Sequence, residues 1–147
     1  MKKTILAALL GCLAFGFSAC TFVTEREVVY ESNFQTLDLR INAGDWQYSE
    51  EGNYYFYTFS VPSLSSEIYN HGTVNCYREY IKGTRDAYQL PLPQTIHNIE
   101  LVNGQEVLYT TTIDYSFAVG MVEIVLTNND FYYTAPKGMD FRLNMTW

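Results

Sequence analysis

The stretch Gln105-Glu106-Val107-Leu108-Tyr109-Thr110-Thr111-Thr112-Ile113-Asp114-Tyr115-Ser116-Phe117 decides the fold. Val107, Tyr109, Thr111, Ile113, Tyr115 and Phe117 fall on one face of it, and Leu108, Thr110, Thr112, Asp114 and Ser116 on the other. A period of two is that of a β-strand, whose successive side chains point to opposite sides; a helix repeats every 3.6 residues. β-Branched and aromatic residues dominate the run, and these suit a pleated, half-buried surface.

The same pattern extends outward in both directions. Upstream, Asn103-Gly104 separates this run from Ile96–Val102, and Asn-Gly between apolar runs signals a tight hairpin. Downstream, Gly120 turns into Met121–Leu126, where Val122, Ile124 and Leu126 share a face. Met139, Phe141, Leu143, Met145 and Trp147 alternate with Asp140, Arg142, Asn144 and Thr146 at the end of the chain. Earlier, Leu37, Leu39 and Ile41 alternate, and Trp46-Gln47-Tyr48 leads through Glu50-Glu51-Gly52-Asn53 into Tyr54–Val61. Pro62 ends that strand because it has no N–H for the ladder. Ser65–His71 predicts one helical turn, capped by Ser65 or Ser66 and stopped at Gly72. Thr73–Ile81 predicts another strand, turned by Lys82-Gly83-Thr84, and Asp86–Leu92 reads as irregular. Seven or eight short strands, each with one wet face, predict an all-β, antiparallel, immunoglobulin-like β-sandwich over residues 34–147. A closed barrel has the same period and is the alternative.

The first nineteen of the 147 residues have another character. Met1-Lys2-Lys3 is a basic start, and Ile5–Phe17 is a thirteen-residue apolar run, too short to span a hydrocarbon core of about 30 Å. Residues 1–19 therefore predict a cleaved signal peptide. Ser18-Ala19 before Cys20 resembles a bacterial lipobox, with Phe17 in place of the usual leucine. Cys20 is thus the expected site of diacylglycerol attachment and of membrane anchoring, with residues 20–33 as a tether. Cys12 leaves with the signal and Cys20 is acylated, so Cys76 has no partner for a disulfide. In a strand-like run without a nearby base it predicts a buried, inert thiol.

Charge narrows the partners. The formal net charge is −7, and without Lys2 and Lys3 seven basic residues face sixteen acidic ones, near −9. Phosphate-backbone recognition needs clustered Lys and Arg, which disfavours nucleic acid. An apolar fraction of 48% is too high for a disordered chain, so a core is expected.

Lipobox, Asp45-Trp46, the aromatic strand ending at Val61-Pro62, Gly72-Thr73-Val74 with Tyr77, and Leu90-Pro91 together resemble a family of small Bacteroides-type outer-membrane lipoproteins. The similarity covers about residues 34–147. It implies a β-sandwich and an outer-membrane location, and it carries no assigned catalytic residue. Relatives displayed on the cell surface have an acidic run after the cysteine, from which Thr21-Phe22-Val23-Thr24 departs.

Chemistry is sparse along the chain. His71 and His97 read as solvated loop residues, and neither has the spaced Cys or carboxylate partners of a zinc site. Neither Gly-x-Ser-x-Gly nor a glycine-rich phosphate loop occurs. Glu50-Glu51 reads as hairpin-tip solvation and Asn128-Asn129-Asp130 as turn chemistry, not as a glycosidase pair or a calcium loop. Asn144-Met145-Thr146 fits a glycosylation pattern that a bacterial lipoprotein has no use for. The expectation is a module without cofactor, metal or catalytic residues that recognises an envelope protein or glycan. The candidate surface is aromatic: Tyr54 and Phe56 with Tyr132 and Tyr133, because exposed rings stack on sugars and partner proteins. The alternatives are a carbohydrate-binding module using these tyrosines and a small hydrolase whose site forms only on folding.

Overall fold

Alternation becomes two antiparallel sheets packed face to face. The computed structural model describes residues 33–129 and 135–147. Among these are nine strands: β1 (Phe34–Ile41), β2 (Gln47–Ser49), β3 (Tyr54–Ser60), β4 (Thr73–Tyr80), β5 (Tyr88–Pro91), β6 (Gln94–Val102), β7 (Gln105–Ala118), β8 (Met121–Asn128) and β9 (Met139–Thr146). One helical turn, α1 (Ser66–His71), precedes β4. The first sheet has the order β1-β9-β4-β5 and the second β2-β3-β8-β7-β6. The sheets share no strand, so the sandwich holds and the barrel does not. The count exceeds seven or eight because β2 and β5 are only three and four residues long, too short to show a period. In particular, Asp86–Leu92, expected to be irregular, contains β5, which pairs Tyr88 with Tyr80 and Pro91 with Tyr77. A proline at the end of an edge strand and another just beyond it hide the strand in sequence without preventing it.

Turn chemistry sets the register. Asn103 and Gly104 have φ of 52° and 81°, the two left-handed residues that a type I′ hairpin requires. That turn places Val102 opposite Gln105 and, further along, Asn98 opposite Tyr109 and Ile96 opposite Thr111. Ser65 caps α1 by accepting from the Ile68 N–H at 3.3 Å. Gly72 ends the helix for a different reason than a left-handed cap. Its φ is −93°, but a Cβ there would lie 2.6 Å from the Thr146 carbonyl oxygen and 2.8 Å from that of Ile68.

The core lies between the sheets. Ile41, Ile113, Val122, Ile124, Phe141, Leu143 and Met145 are fully buried, with Leu37, Leu39, Tyr55, Tyr57 and Phe59 packed around them. Val61, Leu64 and Ile68 close one end of this space. The loop that carries them is tied down: Val61 N–H donates to Gly120 O and Gly120 N–H to Leu64 O, both at 2.8 Å. Tyr115 links the sheets, its hydroxyl donating to the Val74 carbonyl at 2.9 Å. Burial pushes the pKa of that phenol up. Cys76 is buried as expected, and desolvation raises its thiol to about 12. On the outer face of the first sheet, Asp38, Arg142, Glu79 and Lys82 form a chain of ion pairs across β1, β9 and β4, at 2.9–3.2 Å.

Candidate functional site

At the end opposite α1, the inward-facing positions of four strands change from apolar to polar in the same layer. On β4 the inward set runs Val74, Cys76, Arg78, Tyr80. On β6 it runs Ile96, Asn98, Glu100; on β7 it runs back from Ile113 to Thr111 and Tyr109; on β8 it runs from Leu126 to Asn128. All of these but Val74 and Cys76, with Pro136 and Lys137 at the approach to β9 and Met139 at its start, line a cleft of about 450 Å³. Pockets that hold small ligands span about 300–1,000 Å³ and combine apolar walls with a few placed polar groups.

The floor of the cleft is a connected polar chain. Thr111 and Asn128 stand directly opposite each other on β7 and β8, and both are buried. The Thr111 hydroxyl donates to Asn128 Oδ1 at 2.6 Å and accepts from Asn98 Nδ2 at 2.9 Å. A hydroxyl can do both at once, which links three polar side chains, two of them buried. Trp46 Nε1 fixes the rim by donating to the Lys137 carbonyl at 3.1 Å.

One wall is an aromatic and cationic stack. Tyr80 and Tyr88 are cross-strand neighbours, and their rings lie parallel, 4.8 Å apart with 4° between planes. The Arg78 guanidinium sits over the Tyr80 ring, 4.3 Å from its centroid, a cation–π contact. The Tyr80 hydroxyl donates to Gln94 Oε1 at 2.8 Å, which holds the ring in place. Burial lowers the Arg78 pKa, with the Tyr80 and Tyr88 hydroxyls opposing that effect. Among the described residues, Arg78 forms no ion pair and its guanidinium donates no hydrogen bond.

The residues singled out from sequence lie elsewhere. Tyr54 and Phe56 come together on the outer face of the second sheet, edge to face with centroids 5.9 Å apart. Both are half-buried, and the Tyr54 ring covers the backbone of Gly52, where a Cβ would collide with it. Tyr55, Tyr57 and Phe59 face the core instead. Tyr132, Tyr133 and Cys20 are outside the described residues. His97, expected in a loop, lies within β6 opposite Thr110, with Nδ1 3.2 Å from the threonine hydroxyl. Asn128, expected in a turn, is the buried last residue of β8. Its neighbour Asn129 accepts a hydrogen bond from the Thr110 N–H. Glu50 and Glu51 occupy the exposed β2–β3 turn as expected.

The cleft escapes a reading that looks for reactive motifs, because none of its residues is rare. A signal does exist. Extending the inward set of Val74 and Cys76 by two positions puts a charged Arg78 on the buried face, against the usual rule for a half-buried strand. Among the described residues, no three His, Cys, Asp or Glu side chains converge as metal ligands would. Comparison of the chain with protein-family models, with curated proteins and with solved structures finds no match.

Proposed function

We propose that this chain is a lipid-anchored lipoprotein of the outer membrane, attached through Cys20, whose β-sandwich is a recognition module and not an enzyme. This reading rests on the resemblance of its motifs to those of small Bacteroides-type lipoproteins. The observation that carries the recognition reading is the cleft between the sheets. Among the described residues it gathers hydrogen-bonding amides and hydroxyls, an aromatic wall and a cation with no anionic partner, without a nucleophile–base pair in the lining. Such a site binds and orients. A lipid tether would add to it by holding the domain at a membrane surface, where neighbouring envelope molecules have a high effective concentration.

Two measurements test this. Palmitate labelling with intact-mass analysis should place acyl chains on wild type and none on Cys20→Ser, which should also leave the membrane fraction. A labelled Cys20→Ser protein would overturn the anchor. For recognition, full-length protein in detergent is melted against soluble fragments of envelope glycans and peptides, since a ligand of the native state raises the melting temperature. Asn98→Ala should abolish the increment and Tyr54→Ala should leave it. The reverse result would move the site to the outer tyrosine face, and conversion of a fragment to product would overturn the non-enzymatic assignment.

A further inference from the structure

We infer that the cleft binds a compact carboxylate-bearing sugar, a sugar acid, with the Arg78 guanidinium taking the carboxylate; this rests on the recognition reading above and names its ligand class. Three observations carry it. Arg78 is half-buried at the inner end of the Tyr88–Tyr80 stack and has no carboxylate partner among the described residues. A guanidinium drawn out of water without an anion is costly, and a bound carboxylate relieves that cost through charge-assisted, forked hydrogen bonds. The contact with Tyr80 occupies one face of the group and leaves the N–H edges for such a fork.

Charge points the same way. The whole chain is strongly acidic. Among its described residues the cleft is the reverse, with Arg78 and Lys137 against the single carboxylate of Glu100. A surface with net negative charge repels anions unless a cleft is built to admit them, and this one is. The remaining lining matches the rest of the ligand. Asn98, Thr111 and Asn128 line the cleft with amide and hydroxyl groups of the kind that pair with sugar hydroxyls, and Ile96, Tyr109 and Pro136 add apolar surface for sugar C–H groups. The volume of about 450 Å³ suits one or two sugar rings.

The test uses full-length, isotope-labelled protein in micelles and follows the Arg78 Nε–H and the Asn98 side-chain amide by NMR. The probes are glucuronate, its neutral analogue glucuronamide, N-acetylneuraminate and glucose. Both acids should shift these resonances saturably, with glucuronamide and glucose weaker by about tenfold or more, one order in affinity corresponding to loss of a charged hydrogen bond. Affinity for the acids should fall as salt rises. Arg78→Gln should reduce glucuronate to the level of its amide, and Arg78→Lys should fall between, keeping charge but losing the fork. Should Arg78→Gln fail to fold, the acid–amide comparison still decides, because it leaves the protein unchanged. Equal binding of glucuronate and glucuronamide would overturn the carboxylate assignment and leave the cleft a recognition site. Absence of any shift with all four probes would overturn the sugar-acid class. The recognition reading would then stand or fall separately on the melting experiment with envelope fragments.

Discussion

The two ends of the space between the sheets are built from opposite materials. At one end Val61, Leu64 and Ile68 close it, each at most 2% exposed, on a loop fastened to the β7–β8 turn by two backbone hydrogen bonds. At the other end Arg78, Asn98, Thr111 and Asn128 face inward, and a cleft opens between them. The strands are the same ones; only the identity of every second residue changes along them. A β-sandwich thus needs no extra domain to separate stability from binding. It can place them at opposite ends of one set of strands, with the apolar layers as foundation for the polar one.

The largest expected effect comes from removing what both ends share. β9 is the second strand in from an edge, paired with β1 on one side and β4 on the other. Phe141, Leu143 and Met145 are fully buried along it. Burial of each such side chain stabilises by roughly 1.5–3 kcal/mol, against a typical total of about 5–15 kcal/mol. Deleting residues 141–147 should therefore yield an unfolded or aggregating chain. A truncated protein with a wild-type melting curve and near-ultraviolet spectrum would disprove the placement of the core.

The next pair sets one end against the other. Ile68→Ala leaves a hole in the closed end and should lower stability in denaturant unfolding by about 2–5 kcal/mol. Arg78→Met in the cleft should change it by less than about 1 kcal/mol. The lost cation–π contact, worth roughly 0.5–2 kcal/mol, is offset by no longer desolvating an unpaired charge. If Arg78→Met proved as damaging as Ile68→Ala, the cleft would be part of the structural core and the contrast between the ends would fail.

That contrast also explains what can be read from sequence. The sandwich is legible because its core strands alternate over seven to fourteen residues, as in Gln105–Ala118, and because Asn103-Gly104 dictates its turn. β5 is not legible, since four residues ending in a proline carry no period and its existence depends on pairing with β4. The cleft is not legible for a related reason. Arg78, Asn98, Thr111 and Asn128 are common residues from four strands up to fifty positions apart, and only strand pairing together with the packing of the two sheets puts them in one layer. Aromatic abundance, the more visible signal, leads instead to β3, where three of the five rings serve the core.

A smaller effect is expected where the sheets are joined. Tyr115→Phe keeps the ring and removes the hydroxyl that donates to the Val74 carbonyl. The loss should be about 1 kcal/mol, the usual net value of one such bond. Because the link sits in the apolar layers, the sugar-acid binding proposed for the cleft should be unaffected, as titration of the variant with glucuronate would show.

The smallest effect tests whether electrostatics belongs to one end only. The ion pairs of Asp38, Glu79, Lys82 and Arg142 lie on the outer face behind the cleft, in the half of β4 and β9 away from α1. Hydrogen bonds from Lys82 and then Arg142 lower the Asp38 pKa, so its contribution is present above the ordinary value of 3.8 and is lost as pH falls through the lower folded value. The Lys82 pKa is raised, first by its hydrogen bond to Glu79, so its contribution is present below the ordinary 10.5 and is lost as pH rises through the higher folded value. Asp38 and Lys82 are substantially exposed, with side-chain accessibilities of 51% and 35%, so solvent screening keeps each such pair below about 1 kcal/mol. Global stability should hardly register the change. Local opening should: below pH 3.8, amides of Arg78–Tyr80 and Gln89–Leu90 should lose hydrogen-exchange protection, after correction for intrinsic rates, relative to those of Val74–Cys76 and Val122–Ile124. Raising the salt to about 1 M at neutral pH should act in the same direction, because screening weakens the same pairs. Equal loss of protection at both ends would show that the ion pairs act on the sandwich as a whole, and the division between a packed end and an electrostatically held end would not stand.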